Sequence, residues 1–151
     1  MQQDQVHQQI IDFWNNNMPF NQLLGFKLTR FDAQSSEIRF AWQDKLIGNP
    51  IHKILHGGVT ASALDLAGGT VAAANIIEQL DEITPQTIAS SLGKLSTIDL
   101  RTDYLRPGRG EHFIATAHII RSGSKVAVAR MELHNEEGEH IAFGTGTYMV
   151  G

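Results

Sequence analysis

The sequence predicts an α+β chain: a pair of short strands, one long helix, and four consecutive strands forming an antiparallel sheet over that helix. Three observations carry this prediction. The alternation of apolar and polar residues in "FKLTRF" and "EIRFAW" has the period of paired strands. From His56 or Gly57 to Ile77 the alternation gives way to one long run of small apolar residues. It then returns in "LSTIDLRTDYL", "HFIATAHII", "KVAVARMELH" and "IAFGTGTYMV", separated by the turn sequences "RPGRGE", "RSGS" and "NEEGEH".

Along the chain, residues 3–16 place Val6, Ile10, Phe13 and Trp14 at helical spacing, which predicts a helix covering the core. "NNNMP" ends it, because three Asn and Pro19 do not continue a helix easily, and Phe20–Leu24 reads as a connector of one helical turn. "DAQSS" turns the chain between the first two strands. "QDKLIGNPIHKI" has no period, contains Gly48 and Pro50, and reads as a loop. "EQLDEITPQT" reads as a polar return from the long helix. Residues 1–151 form one expected domain, of which 1–18 are the N-terminal helix and connector.

A chain of 151 residues buries about two-thirds of the surface it exposes when unfolded. The net charge of −4, with no run of cations, leaves no electrostatic footprint for nucleic acid. The absence of cysteine excludes disulfides, thiolate zinc sites and cysteine nucleophiles, and fits a reducing compartment. "MQQDQVHQQIIDF" lacks the basic start and apolar core of a secretory signal, so a cytoplasmic location is expected. Val59–Ile77 is long enough to cross a membrane. It carries Asp65, however, and eleven Gly, Ala, Ser or Thr residues, which favours a buried helix of a soluble protein and no membrane partner.

The stretch "LHGGVTASALDLAGG" resembles the hotdog-fold acyl-CoA thioesterases, in particular the phenylacetyl-CoA thioesterase-like branch. That branch opens its central helix with His-Gly-Gly and carries a carboxylate eight residues after the first Gly, here Gly57 and Asp65. "PFNQLLGFKL", "STIDLRTDYLRPGRGE" and "IIRSGSKVAVARMEL" resemble other strands and turns of the family, so the likeness covers the chain from about Pro19. It implies a hotdog fold, a β-β-α-β-β-β-β sheet wrapped around the central helix, and hydrolysis of a fatty-acyl- or aryl-acyl-CoA. Coenzyme A enters as part of the substrate, with no separate cofactor and no metal.

The residues suit that chemistry. Gly57 and Gly58 stand at a helix N-terminus, where amides lack intrahelical acceptors and the dipole favours negative charge. Such amides can meet the oxyanion of a thioester carbonyl. A tight strand–helix contact is the alternative reason for the glycines. Asp65 lies roughly 12 Å along the helix from Gly57, so the two cannot serve one carbon within a chain. Two antiparallel helices related by a two-fold axis bring them together twice. A homodimer with composite sites is therefore expected, and the resemblance extends this to a dimer of dimers.

The resemblance also assigns Asn49 to holding the attacking water, although it precedes His56 by seven positions where many members have six. It assigns Thr97 to contact with the water or the acid. His56 orients the carbonyl or braces the loop. Asp65 is a general base, an anhydride-forming nucleophile, or a purely structural acid. The turn Arg121, Ser122, Gly123, Ser124 and Lys125, with Arg106 and Arg109 of "RPGRG", offers cations for coenzyme A phosphates. Three rival readings remain. "NPIH" resembles the hotdog enoyl-CoA hydratases, but Ile47 stands where they carry their Asp. A silent acyl-CoA-binding hotdog protein is the second. A metal pair of His52 and His56 is the third, and lacks the Glu of a His-Glu-x-x-His pattern.

Overall fold

The structure, a computed structural model, describes residues 3–151. Met1 and Gln2, which head the polar N-terminal stretch, lie outside the described residues. Helices α1 (Gln3–Asn17) and α2 (Pro19–Leu24) precede strands β1 (Lys27–Phe31) and β2 (Ser36–Ala41). A 3₁₀ turn (Asp44–Leu46) and a short hairpin, β3 (Ile47–Asn49) and β4 (His52–Leu55), lead into α3 (Gly57–Glu78). Helix α4 (Pro85–Leu92) follows, then β5 (Ser96–Tyr104), β6 (His112–Ser122), β7 (Val126–Asn135) and β8 (His140–Met149).

Six strands form one antiparallel sheet in the order β1-β2-β6-β7-β8-β5, and β3-β4 stand apart. The sheet wraps α3, which is the predicted fold class. Ala63, Leu64, Ala67, Val71 and Ala74 of α3 are buried along with Ile38, Ala115, Ala129, Met131 and Leu133 of the sheet. Alanines on both surfaces let the two backbones approach closely. Among the described residues α3 is the one helix long and apolar enough to cross a membrane. The protein's own sheet covers it instead, and twelve of its residues are buried.

Two expectations need correction. The presumed loop at 43–54 contains the β3–β4 hairpin, in which Asn49 pairs with His52. Leu55 N–H donates to Gly108 O (3.0 Å) and His56 N–H to Leu46 O (2.8 Å). Backbone bonds hold this hairpin while most of its side chains stay exposed, so it leaves no alternation in the sequence. The presumed polar return contains α4. Thr84 caps it, with a reciprocal box between Thr84 and Thr87 and Pro85 at the first helical position.

The outer edges of the sheet differ. At β1, Asn15 of α1 accepts from Leu28 N–H (2.8 Å) and donates to Leu28 O (3.0 Å). Trp14 packs edge-on against Phe31, with ring centroids 5.5 Å apart. At the other edge β5 pairs with β8 alone and is exposed along most of its length.

Candidate active site

Asp65 sits half-buried in the middle of α3. Thr97 Oγ1 donates to its Oδ1 at 3.0 Å. The Tyr148 hydroxyl lies 3.2 Å from the same Oδ1 and 3.1 Å from the Asp65 backbone oxygen. Thr97 and Tyr148 face each other across the β5–β8 pair, so the sheet register fixes both hydroxyls relative to the helix. Asp65, Thr97 and Tyr148 form one side of a cavity of about 700 Å³, and Val6, Ile10 and Trp14 of α1 and Ile88 and Leu92 of α4 form much of the rest. A lone carboxylate thus faces an apolar chamber of the size that buries a small-molecule ligand.

The start of α3 is built differently. His56 Nδ1 accepts from Gly58 N–H at 2.8 Å, while His56 O accepts from Val59 and Thr60 N–H. A Cβ on Gly58 would stand 3.0 Å from that same Nδ1, a tight contact that would push on the capping imidazole. Its amide serves the helix cap. Gly57 N–H has no protein acceptor among the described residues. A Cβ on Gly57 would meet Tyr104 Oη at 3.4 Å, an ordinary contact, so packing within the chain does not demand this glycine. The Tyr104 hydroxyl donates to Gly57 O at 2.6 Å. Strand β5 therefore hydrogen-bonds α3 at two places, through Thr97 at the acid and through Tyr104 at the carbonyl of Gly57.

The sequence profile of the thioesterase superfamily matches residues 52–142, a span that holds β4, all of α3 and β5. This chain belongs to the thioesterase superfamily. It is 50% identical over 135 residues to Escherichia coli YigI, a medium/long-chain acyl-CoA thioesterase, covering 89% of this chain and 87% of that one. It is 48% identical to a crystal structure from Shewanella oneidensis described as related to the thioesterase superfamily. The TM-score is 0.93, over 99% of this chain and 97% of that chain. A thioesterase from Haemophilus influenzae shares the fold at 19% identity, with a TM-score of 0.74 over 95% of this chain and 88% of that chain.

The structure separates other residues that the sequence grouped in this thioesterase. Asn49 Oδ1 accepts from Ile51 N–H at 2.9 Å, closing the β3–β4 turn, and no bond joins it to Asp65 or Thr97 within the chain. The turn Arg121–Lys125 lies by the C-terminal part of α3, where Ser122 Oγ donates to Asn75 Oδ1 at 2.8 Å. Gly123 N–H bonds Val126 O, and Gly123 and Ser124 border a small surface cleft with Asn75 and Gln79. Arg106 approaches Glu139 at 3.8 Å, and the Arg109 carbonyl accepts from Asn135 Nδ2. The two basic turns thus stand at opposite ends of the sheet.

His52 lies on the exposed hairpin, and His56 spends Nδ1 on the helix cap. A different trio, Glu132, His134 and His140, gathers possible ligand atoms within 4.8 Å on β7 and β8. Its two imidazoles stack at 4.5 Å with planes 12° apart, so their lone pairs do not converge on one ion. Sequence reasoning missed Tyr148 and the α4 wall. Thr84-Pro85-Gln86-Thr87 was the available signal for α4, a helix start with Pro at N1.

Proposed function

We propose that this thioesterase hydrolyses medium- and long-chain fatty acyl-CoA, with Asp65 as the general base. The observation that carries this reading is a single carboxylate, held by two hydroxyls, in the wall of an apolar cavity. The chain length named for the E. coli relative supports the same substrate class. Asp65 takes a proton from water as the water oxygen bonds to the thioester carbon. The oxyanion draws on an amide N–H, the C–S bond then breaks, and coenzyme A leaves as the thiol once protonated. The reaction so written needs no cofactor.

The amide comes from a second copy. Thr97 near the start of β5 accompanies Asp65, and Tyr104 at its end accompanies Gly57. Two β5 strands paired antiparallel about a two-fold axis exchange these ends. Asp65 then approaches the partner subunit's Gly57, and each dimer holds two such sites. The bare β5 edge supports this pairing. On this reading the basic turns at Arg106 and at Arg121–Lys125 are the candidates for the coenzyme A phosphates.

Thiol release should be measured over straight-chain acyl-CoAs from acetyl to palmitoyl, with phenylacetyl-CoA and an enoyl-CoA alongside. Medium and long chains should turn over fastest. Loss of enoyl absorbance without thiol release would point to a hydratase instead. Asp65→Asn should lower kcat by about 10²–10⁴-fold, the usual worth of a positioned base, while the fold is retained. Parental turnover by Asp65→Asn would make the acid structural.

A further inference from the structure

Tyr148 is 1% exposed and lies beneath Asp65, with its hydroxyl at the helix. A buried phenol needs one acceptor, and the Asp65 backbone oxygen at 3.1 Å would satisfy it. The same hydroxyl also stands 3.2 Å from Oδ1, the oxygen that Thr97 already holds at 3.0 Å. With its one proton shared between these two oxygens, the phenol joins Thr97 at Oδ1, while among the described residues no hydrogen bond reaches Oδ2. Burial, and then the neighbouring Asp65 carboxylate, push the phenol far above its ordinary pKa, so the hydroxyl keeps its proton and remains a donor.

The chain makes room for this contact at two positions. A Cβ on Gly68, one turn along α3 from Asp65, would collide with the Tyr148 hydroxyl. A Cβ on Gly146 would stand 2.5 Å from it. Glycines on the helix and on β8 thus form the slot through which the phenol reaches the acid. Thr97 approaches from the neighbouring strand, directly across the register from Tyr148. The two hydroxyls hold one carboxylate oxygen, and the rigid sheet holds the two hydroxyls.

We infer that Tyr148 is a positioning residue of the hydrolytic site: together with Thr97 it pins Oδ1 of Asp65, leaving Oδ2 as the oxygen that takes the proton from water. This rests on Asp65 being the base. Tyr148 acts through Asp65, by fixing the direction in which the carboxylate faces. Only the phenolic oxygen does this, so the ring can stay in place when that oxygen is removed.

The test is Tyr148→Phe alone and in the Asp65→Asn background, with thiol release from one medium-chain acyl-CoA as the readout. Assays are run well below each variant's unfolding temperature. Loss of the pin should lower kcat by about 10- to 100-fold, the scale of a slightly misplaced reacting group, with KM within about twofold. In the Asp65→Asn background the same change should cost nothing further, because there is no longer a base to orient. Unchanged kcat in Tyr148→Phe overturns the inference, as does an equal loss in both backgrounds, which marks a structural effect. Failure of the underlying reading looks different: Asp65→Asn would itself turn over at the parental rate.

Discussion

The two edges of the sheet face the same physical hazard and meet it in opposite ways. An edge strand offers unpaired N–H and C=O groups to any other chain. At β1 the protein covers them itself, with Asn15 taking both polar groups of Leu28 and α1 packing over Phe31. At β5 it leaves Ile98 51% and Tyr104 54% exposed, and Leu105 just beyond the strand 47%. The open edge is also the one whose residues touch both Asp65 and Gly57. On the proposed reading β5 stays free for the second copy that completes the site, a task β1 does not have.

The largest break in this contrast should come from charging the open edge. Ile98→Glu adds an acid beside Asp99 on the exposed edge, and in the proposed dimer two such acidic edges come together. Such juxtaposition costs several kcal/mol, so the dimer should weaken by about 10²-fold and thiol release should fall in parallel at low protein concentration. Light scattering together with activity checks this, and full activity in a monomer would defeat the composite site.

A gentler experiment sharpens the same point without disturbing the edge. Asp65→Asn and Gly57→Val subunits should each be nearly inactive, the latter by about 10²-fold because its side chain keeps the thioester away from the amide, the scale of losing one oxyanion donor. After subunit exchange, each heterodimer carries one site with both lesions and one with neither. About half the parental activity per heterodimer should then return. Fully exchanged mixtures that stay dead would show that Asp65 and Gly57 do not act across a subunit boundary.

The smallest effect should come from the closed edge. Asn15→Ala removes two hydrogen bonds to Leu28 and should cost about 1–3 kcal/mol, at the net worth of such bonds. Thermal unfolding should fall accordingly, with kcat and the dimer unchanged. If activity drops as far as in Ile98→Glu, the two edges are not functionally distinct.

Much of this architecture was legible in the sequence because it is periodic. Every strand of the large sheet shows alternation, and α3 stands out as a long run of small residues. What escaped lacks a period. Strands β3 and β4 are three or four residues long and held through backbone, and α4 shows only Ile88 and Leu92 as spaced apolar residues in a polar stretch. For the site, the resemblance to the thioesterase motif singled out Asp65 and Gly57, and helix rise implied that they could not meet within one chain. Tyr148 stayed hidden because its contact spans 83 residues. Local pattern places that phenol on an inward-facing strand position, but cannot say which helical residue lies opposite. Its trace in the sequence was Gly68 and Gly146, small residues that only the folded register brings to one phenol.

The chamber beside Asp65 owes its far wall to α1 and α4, and neither helix belongs to the sheet. Residues such as Ile88 and Leu92 can therefore change size without shifting any strand register or the hydroxyls that grip the acid. On the proposed reading, substrate length and hydrolytic chemistry are in this way inherited on separate parts of the chain. A lineage could retune what it accepts through a handful of peripheral side chains while its reaction stays the same.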